Sequence, residues 1–358
     1  MKATEQLQRL GQSLWLDNIN RDLLVDGTLR RYIDELSVTG LTSNPTIFDR
    51  AIAHSASYDE EIKRQVVAGK KDEALFFELA IQDLTKAAGM FAPIHERTAG
   101  IDGWVSLEVS PLLAHDTAKT VAQARALHAK AKRANLFIKI PGTLEGLPAI
   151  EEAIASGIPI NVTLLFSRDD YVRAADAYMR GLERRIAAGL NPDVRSVASL
   201  FVSRWDKAVQ DKTPHELRDR LGIAVAQQSY KAYRDLLDSD RWQRLEGLGA
   251  RPQRLLFAST GTKDPKASDV LYIGALGAPN TINTMPEETL LAFAQHGVAD
   301  HVLPRDAGDS EQVLAAFNRA GIDAAALAGQ LQVEGAKAFV DSWKDLLRSI
   351  ETKSMALA

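Results

Sequence analysis

The sequence predicts an α/β protein, namely a (β/α)8 barrel with additional helices. Eight short apolar runs alternate mostly with stretches of helical periodicity, which favours either a closed parallel barrel or an open doubly wound sheet. Polar side chains lie on one face of these runs, near their carboxyl ends, as a barrel with a polar mouth requires. A barrel of this class takes about 250 residues. A chain of 358 residues therefore has room for extra helices.

The strand candidates are short runs rich in apolar and β-branched residues. In chain order they cover 13–17, 40–45, 104–110, 136–140, 159–165, 196–202, 254–259 and 280–284. The helical stretches cover 22–36, 45–95, 115–135, 143–156, 167–188, 203–245, 286–296 and 324–350. We therefore predict a single domain over 1–358, with a helical insertion near 50–100 and a C-terminal helical extension near 305–358.

The first two strands end in informative residues. Asp17 closes the first strand, and Pro45 ends the second, where it suits the first turn of a helix. The helical region that follows has breaks near Ser55 and Gly69 and is too long for a simple crossover. We interpret it as the insertion.

The third and fourth strands carry charged residues in apolar surroundings. The third alternates strictly, so Glu108 shares its polar face with Ser106 and Ser110. In the fourth, Lys139 stands in the middle of a short apolar run that ends in a Pro-Gly turn. A buried lysine either pairs with a carboxylate or loses its proton, which makes its neutral amine available as a nucleophile. Alternatively, Lys139 lies at the strand end and extends its side chain to water.

The last four strands continue the pattern with neutral polar side chains. In the fifth, Asn161 and Thr163 share one face, and Ser167 caps the helix that follows. Ser199 lies late in the sixth strand. Ser259 ends the seventh, which runs into a loop rich in glycine and threonine, and the eighth has the weakest strand pattern.

Shared parity decides between the barrel and the open sheet. In a closed barrel, one face of each strand packs on the outer helices and the other faces the axis. The polar residues near the carboxyl ends of the strands occupy the same alternating face of each strand, which random placement would not produce. They are Asp17, Asn44, Glu108, Lys139, Asn161, Thr163, Ser199 and Ser259. We therefore predict that they meet at the carboxyl-terminal mouth of a TIM barrel.

Composition excludes several functional classes. With 43 basic and 47 acidic residues, a formal net charge of −4, the chain has no overall basic field, and we expect no nucleic-acid partner. The absence of cysteine excludes disulfides and thiolate chemistry. Residues 1–17 lack a signal-peptide segment and no run approaches the roughly 18 residues of a membrane span, so we expect a cytoplasmic protein with no membrane partner. Dinucleotide, P-loop and zinc-protease motifs are missing, which disfavours nucleotides and catalytic metal.

The charged strand residues permit imine chemistry. A lysine amine condenses with a ketone, and the protonated imine becomes an electron sink that makes cleavage of a neighbouring carbon–carbon bond feasible. Asp17 and Glu108 are candidates for the two proton-transfer tasks, which are loss of water from the carbinolamine and removal of a hydroxyl proton. In the alternative reading, each carboxylate only neutralises the buried Lys139 charge.

Further polar residues are candidates for binding substrate or water. Asn161 and Thr163 share a face that could hold a catalytic water or a substrate hydroxyl, although such groups in strands are usually only satisfied polar side chains. Arg204, past the sixth strand, and Lys263, in the loop past the seventh, stand where barrel enzymes commonly bind a phosphate. Alternatively, both are solvated surface cations.

Five ordered segments carry a family resemblance. They read GLTSNPT at 40–46, SLEVS at 106–110, IKIPGTLEG at 138–146, INVTLLFS at 160–167 and SLFVSR at 199–204. In this order they are similar to the motifs of transaldolases, specifically of the longer bacterial kind, and the resemblance spans most of residues 13–285.

The resemblance implies a single barrel that acts on sugar phosphates. It implies no metal and no organic cofactor. Such an enzyme transfers a dihydroxyacetone unit from sedoheptulose 7-phosphate or fructose 6-phosphate to glyceraldehyde 3-phosphate or erythrose 4-phosphate, in the non-oxidative pentose phosphate pathway. Lys139 would form the imine, and Asp17 would take the proton of the C4 hydroxyl. Glu108, with a water near Thr163, would serve imine formation and loss. We expect a monomer or a homodimer.

The resemblance also implies binding roles. Asn44 and Asn161 would hold substrate hydroxyls with Ser199 beside them, and Arg204 would bind the phosphate. After the seventh strand many transaldolases read Ser-Phe-Arg, whereas this chain runs from Ser259 through Thr-Gly-Thr to Lys263. Lysine can replace the charge of that arginine but not its bidentate fork. Ser259 and Lys263 are nevertheless expected at the phosphate.

Two other functions stay open at this point. A lyase similar to fructose-6-phosphate aldolase would use the same Lys139 imine but release free dihydroxyacetone, although such aldolases are shorter than this chain. A non-catalytic barrel that binds sugar phosphates would need no buried nucleophile. The combination of Asp17, Glu108, Lys139 and Thr163 argues against that reading.

Overall fold

Eight parallel strands form a closed barrel in the computed structural model, which describes residues 1–357. The strands follow one another around the barrel in chain order, and the eighth pairs with the first to close it. They are β1 (Ser13–Leu16), β2 (Val38–Leu41), β3 (Val105–Glu108), β4 (Leu136–Pro141), β5 (Ile160–Leu165), β6 (Ser196–Phe201), β7 (Gln253–Ala258) and β8 (Ile282–Met285). The predicted (β/α)8 fold is confirmed, and the open sheet is excluded.

Helices surround the barrel. They are α1 (Ala3–Leu10), α2 (Arg21–Val25), α3 (Thr28–Leu36), α4 (Pro45–His54), α5 (Asp59–Val67), α6 (Asp72–Arg97), α7 (Thr117–Ala131), α8 (Gly146–Ala155), α9 (Arg168–Ala187), α10 (Ser203–Val209), α11 (Leu221–Leu237), α12 (Asp240–Gly247), α13 (Leu271–Ala275), α14 (Glu287–His296), α15 (Ser310–Arg319) and α16 (Ala324–Leu357). Helices α4 to α6 connect β2 to β3, and α14 to α16 follow β8. Across residues 1–357, no helix has both the length and the apolar sequence that crossing a membrane requires.

Local sequence signals set the helix starts near the barrel mouth. Ser167 caps α9, as predicted, because its hydroxyl accepts from the Asp170 backbone N–H at 3.0 Å and the Asp170 carboxylate accepts from the Ser167 N–H at 2.9 Å. Asn44 caps α4 with a single hydrogen bond, in which its Oδ1 accepts from the Ile47 N–H at 3.1 Å, and Pro45 stands in the first turn. These caps fix where the chain leaves β5 and β2.

Some predicted elements were wrong. The helix predicted over 22–36 is divided into α2 and α3, because Gly27 adopts a φ of +87° between them. The sequence pattern also missed α1, α13 and α15. Helix α15 is short, and among its apolar residues only Val313 and Phe317 are buried.

The apolar core has an outer and an inner part. Residues such as Ile138 and Ile140 pack between the strands and the helices. Trp15, Phe137 and Val197 belong to the inner cluster, and each stands two positions before a predicted polar residue of its strand. The axis face of these strands is therefore apolar at their amino ends and polar towards the mouth, as shared parity predicted.

Ser259 does not fit that parity. In β7, Leu256 and Ala258 belong to the inner cluster, whereas Leu255 and Phe257 pack against the outer helices. Ser259 is therefore one position out of step with the axis face. It follows the end of β7 and has a φ of +55°, so the chain turns there and the strand alternation no longer applies.

Candidate active site

Strand β4 carries Lys139 into the barrel mouth. Its side chain is only 6% exposed, and Nζ donates a hydrogen bond to the Ser43 carbonyl oxygen at 3.1 Å. Nζ also lies 3.5 Å from Oε2 of Glu108. Glu108 stands opposite Lys139 in the register of β3 and β4, so strand pairing alone brings the two groups together. Lys139 does not extend to bulk water.

Glu108 is a buried carboxyl group with a pKa near neutral pH. It is 5% exposed, and neither of its oxygens has a well-formed hydrogen bond within residues 1–357. The pKa of Glu108 is raised to about 7, chiefly by burial. The nearby charge of Lys139 opposes this rise, and the charge of Asp17 adds to it. A carboxyl group that is partly ionised near neutral pH can both give and accept protons.

Asp17 follows β1 and is half-buried in the same mouth. Its Oδ1 accepts a hydrogen bond from Thr42 Oγ1 at 2.7 Å, and Thr42 Oγ1 also lies 2.7 Å from Thr284 Oγ1. Burial raises the pKa of Asp17, while the charge of Lys139 and the hydrogen bond from Thr42 oppose the rise. Burial thus makes this carboxylate a stronger proton acceptor than an exposed one.

A buried hydrogen-bond network orients Asn161. Its Nδ2 donates to Ser106 Oγ at 3.1 Å, and its Oδ1 accepts from Ser199 Oγ at 2.7 Å. The second amide hydrogen of Asn161 remains available to a ligand. Thr163 lies on the same face of β5, and in the described part of the chain its Oγ1 has no hydrogen-bond partner although the side chain is fully buried. Thr163 therefore keeps its capacity to bind a hydroxyl or a water.

Two cations stand at the outer part of the mouth. Arg204 is half-buried in the first turn of α10, and its Cζ lies 5.1 Å from the ring centroid of Phe201. Burial lowers the pKa of Arg204. Lys263 is exposed, and its charge helps to lower the pKa of Asp17, against the effect of burial. Ser259 Oγ shares a hydrogen bond with Ser203 Oγ at 2.9 Å, close to the start of α10.

A pocket of about 120 Å³ is lined by Lys139 and Asp17. Seven of the ten predicted site residues line it, namely Asp17, Asn44, Lys139, Ser199, Arg204, Ser259 and Lys263. Four of these also line a mouth of about 780 Å³, which extends over the start of α4. The three remaining predicted site residues, Glu108, Asn161 and Thr163, do not line the 120 Å³ pocket. Glu108 contacts Lys139, and Asn161 contacts Ser199.

Three of the groups that contact this site stand outside the predicted set and touch its charged residues most directly. The Ser43 carbonyl oxygen accepts from Lys139, and the Thr42 hydroxyl donates to Asp17. Both belong to the segment that includes Asn44, so that motif was a usable signal. The third group is Phe339, whose ring centroid lies 5.9 Å from Lys139 Nζ. It comes from α16, and no strand pattern could have indicated its position.

Comparison with known proteins agrees with this architecture. The family model described as Transaldolase/Fructose-6-phosphate aldolase matches residues 14–350. The chain is 45% identical to a protein named transaldolase from Parafrankia sp. strain EAN1pec, over 98% of this chain and 97% of that protein. It is 43% identical to the transaldolase of Saccharopolyspora erythraea, over 97% and 96% of the two chains, and 44% identical to that of Frankia alni, over 96% and 95%. The chain therefore belongs to the transaldolase/fructose-6-phosphate aldolase family.

Proposed function

We propose that this protein is a transaldolase, a transferase of the pentose phosphate pathway. It moves a dihydroxyacetone unit from sedoheptulose 7-phosphate or fructose 6-phosphate to glyceraldehyde 3-phosphate or erythrose 4-phosphate. The observation that carries the proposal is the buried Lys139 amine, 3.5 Å from a Glu108 carboxyl group whose pKa is about 7. The name shared by relatives that match nearly the whole chain supports the same activity.

The first half of the reaction forms the imine. Glu108 accepts a proton from the Lys139 ammonium, and the neutral amine adds to the C2 carbonyl of the ketose phosphate. The carbinolamine takes a proton, loses water and becomes a protonated imine. Thr163, whose hydroxyl has free hydrogen-bonding capacity, holds the departing water.

The second half breaks and remakes a carbon–carbon bond. Asp17 takes the proton of the C4 hydroxyl, the C3–C4 bond breaks, and its electrons flow into the imine to give an enamine. The first aldose phosphate leaves. C3 of the enamine then attacks the aldehyde carbon of the second aldose phosphate, Asp17 returns its proton to the new alkoxide, and water releases the product ketose from Lys139.

The remaining site residues bind substrate. Asn44 uses its amide oxygen to cap α4, so its NH₂ group is the part left for a sugar hydroxyl. Asn161 presents its second N–H to another hydroxyl, held in orientation by Ser199. Arg204 binds the phosphate with Ser259 and Lys263 beside it, in the region where barrel enzymes commonly hold phosphates.

The broader expectations belong to this proposal. We expect the protein to act in the cytoplasm as a monomer or homodimer, on small sugar phosphates and without a nucleic-acid partner. We also propose that residues 1–358 form a single domain, in which the insertion near 50–100 and the extension near 305–358 are additions to one barrel.

A two-substrate assay tests the activity. With fructose 6-phosphate and erythrose 4-phosphate together, we expect sedoheptulose 7-phosphate and glyceraldehyde 3-phosphate in equal amounts. With fructose 6-phosphate alone, we expect little free dihydroxyacetone. Steady release of dihydroxyacetone without transfer would instead identify the aldolase alternative, and sugar binding without either product would identify a non-catalytic barrel.

Replacing Arg204 tests the phosphate site. Arg204→Ala should raise KM for fructose 6-phosphate about 10- to 100-fold with a smaller change in kcat, because a charge-assisted hydrogen bond to the phosphate is lost. Arg204→Lys should recover part of the loss, since lysine keeps the charge but not the fork. Unphosphorylated fructose serves as the control substrate and should lose little. An unchanged KM for the phosphorylated substrate would remove Arg204 from the phosphate site.

The pH dependence of imine formation tests Glu108. In single-turnover reactions with fructose 6-phosphate from about pH 5.5 to about pH 8.5, the rate should rise with pH through a midpoint near 7, because only ionised Glu108 can accept the Lys139 proton. Glu108→Gln should lower the rate about 100-fold and remove that midpoint. The same midpoint in the variant would assign the titration to another group.

A further inference from the structure

The C-terminal helix α16 lies across the barrel mouth and is held there by polar contacts. Gln332 Nε2 donates to the carbonyl oxygens of Gly142 and Leu164, at 3.2 and 3.0 Å. Gly142 directly follows β4, and Leu164 lies at the carboxyl end of β5. Further along the helix, the hydroxyls of Thr46 and Ser342 are 2.8 Å apart, which ties α16 to α4. The helix is therefore anchored on both sides of the mouth.

A glycine lets the helix approach the site closely. A Cβ atom at Gly335 would lie 3.1 Å from Leu164 Cδ2 and 3.2 Å from Arg204 Nη1, tighter than ordinary van der Waals contact. Phe339 stands one helical turn further on, on the same face. The close seat of Gly335 thus directs the Phe339 ring into the mouth.

Phe339 is about equally close to the amine and to the outer cation. Its ring centroid is 5.9 Å from Lys139 Nζ and 6.0 Å from Arg204 Cζ, and the side chain is 6% exposed. It also lines both the inner pocket and the outer mouth. A sugar chain bonded to Lys139 with its phosphate on Arg204 would share this pocket with the ring.

The chemistry of the side chain restricts what it can do there. A phenyl ring has no acidic or basic group, so Phe339 cannot move a proton in the reaction. It can attract the ammonium and guanidinium groups through its π face and exclude water from the carbon atoms that it covers. Exclusion of water affects the step after bond cleavage, because the enamine can then react either with an aldose or with a solvent proton.

The two fates differ in what reaches C3. In transfer, C3 forms a bond to the aldehyde carbon of the second aldose, and the resulting alkoxide takes a proton. In release, C3 takes a proton from solvent to give the imine of dihydroxyacetone, and addition of one water at C2 then frees dihydroxyacetone and regenerates the Lys139 amine. Exclusion of water from C3 therefore favours transfer.

We propose that Phe339 is a specificity-determining residue that shields C3 of the enamine from solvent and so commits the dihydroxyacetone unit to an aldose acceptor. This inference rests on the proposed transaldolase function and assigns the choice between transferase and aldolase chemistry to one side chain of α16. It requires no change in the groups that form the imine.

The test compares graded variants in the full-length enzyme. In a mixture of fructose 6-phosphate and erythrose 4-phosphate in D₂O, the ratio of free dihydroxyacetone to sedoheptulose 7-phosphate is measured for Phe339→Leu and Phe339→Ala. We expect the ratio to rise about 10-fold in the alanine variant and less in the leucine variant, because a smaller side chain excludes less water. The released dihydroxyacetone should carry deuterium, because C3 takes its proton from solvent. Val333→Ala, on the exposed side of the same helix, should leave the ratio unchanged.

The outcomes separate this inference from the function on which it rests. If the wild type forms neither an imine nor a transfer product, both fail. If the wild type transfers normally and the Phe339 variants still form the imine with an unchanged product ratio, only the role of Phe339 is overturned. An equal rise in Val333→Ala would also overturn it. Should Phe339→Ala fail to fold, the leucine variant decides alone.

Discussion

Replacement of Lys139 by alanine is expected to abolish turnover, with kcat/KM reduced by about 10⁴-fold or more, because the covalent imine is lost. The other amine that lines the pocket, Lys263, is exposed, whereas Lys139 is buried beside Glu108. Sugar-phosphate binding should survive, since Arg204 and the hydroxyl-binding residues are unchanged. The measurements are a coupled transfer assay and calorimetric binding of fructose 6-phosphate. Loss of activity with retained binding is the pattern that distinguishes a nucleophile from a residue needed only for folding.

Lys139→Arg is the matched control for charge. The ion pair with Glu108 stabilises both partners, and removing one would leave the other buried without a countercharge. Arginine keeps a cation at this position but cannot form an imine. We expect it to be as inactive as the alanine variant. If either variant kept more than about 1% of the activity, turnover would not depend on the Lys139 imine.

Replacement of Asp17 by asparagine should stop the reaction one step later. Asn keeps the shape of the side chain but cannot take the C4 hydroxyl proton, so kcat should fall by about 10²- to 10⁴-fold. The imine with intact fructose 6-phosphate should still form on Lys139 and should accumulate. Mass spectrometry after borohydride reduction would then show the whole hexose phosphate on the protein rather than a three-carbon fragment.

Thr42→Val provides the comparison for Asp17. It removes the 2.7 Å hydrogen bond to Asp17 but keeps the carboxylate, so it should cost much less activity than Asp17→Asn. A three-carbon adduct in Asp17→Asn would contradict the role of Asp17 as the base for bond cleavage. Equal losses in the two variants would mean that orientation of the carboxylate, rather than its basicity, limits the rate.

The barrel and the placement of its central charges could be predicted from the sequence because strand alternation is a local property. Glu108, Lys139 and Asn161 each occupy the polar face of a strand, and neighbouring parallel strands bring them opposite one another. Their adjacency therefore follows from register alone. The same reasoning explains why the apolar axis residues lie below them.

Other parts of the site depend on backbone turns and long-range packing that alternation does not encode. Ser259 is out of step with the axis face of β7 but still lines the pocket. The chain turns at this residue with a φ of +55°, and such a turn at a non-glycine residue has no signature in the pattern of apolar residues. Phe339 was missed because its helix begins well after the last strand, and its amphipathic pattern indicates a buried face without indicating what that face covers.

The most direct test of this account is to trap the covalent bond on Lys139. The wild-type protein is incubated with fructose 6-phosphate, reduced with borohydride and digested, and the modified peptide is sequenced by mass spectrometry. We expect a stable adduct on Lys139 that forms only when both sugar and borohydride are present, together with loss of activity in proportion to labelling. A fully active enzyme after such treatment, or an adduct on a different lysine, would contradict it.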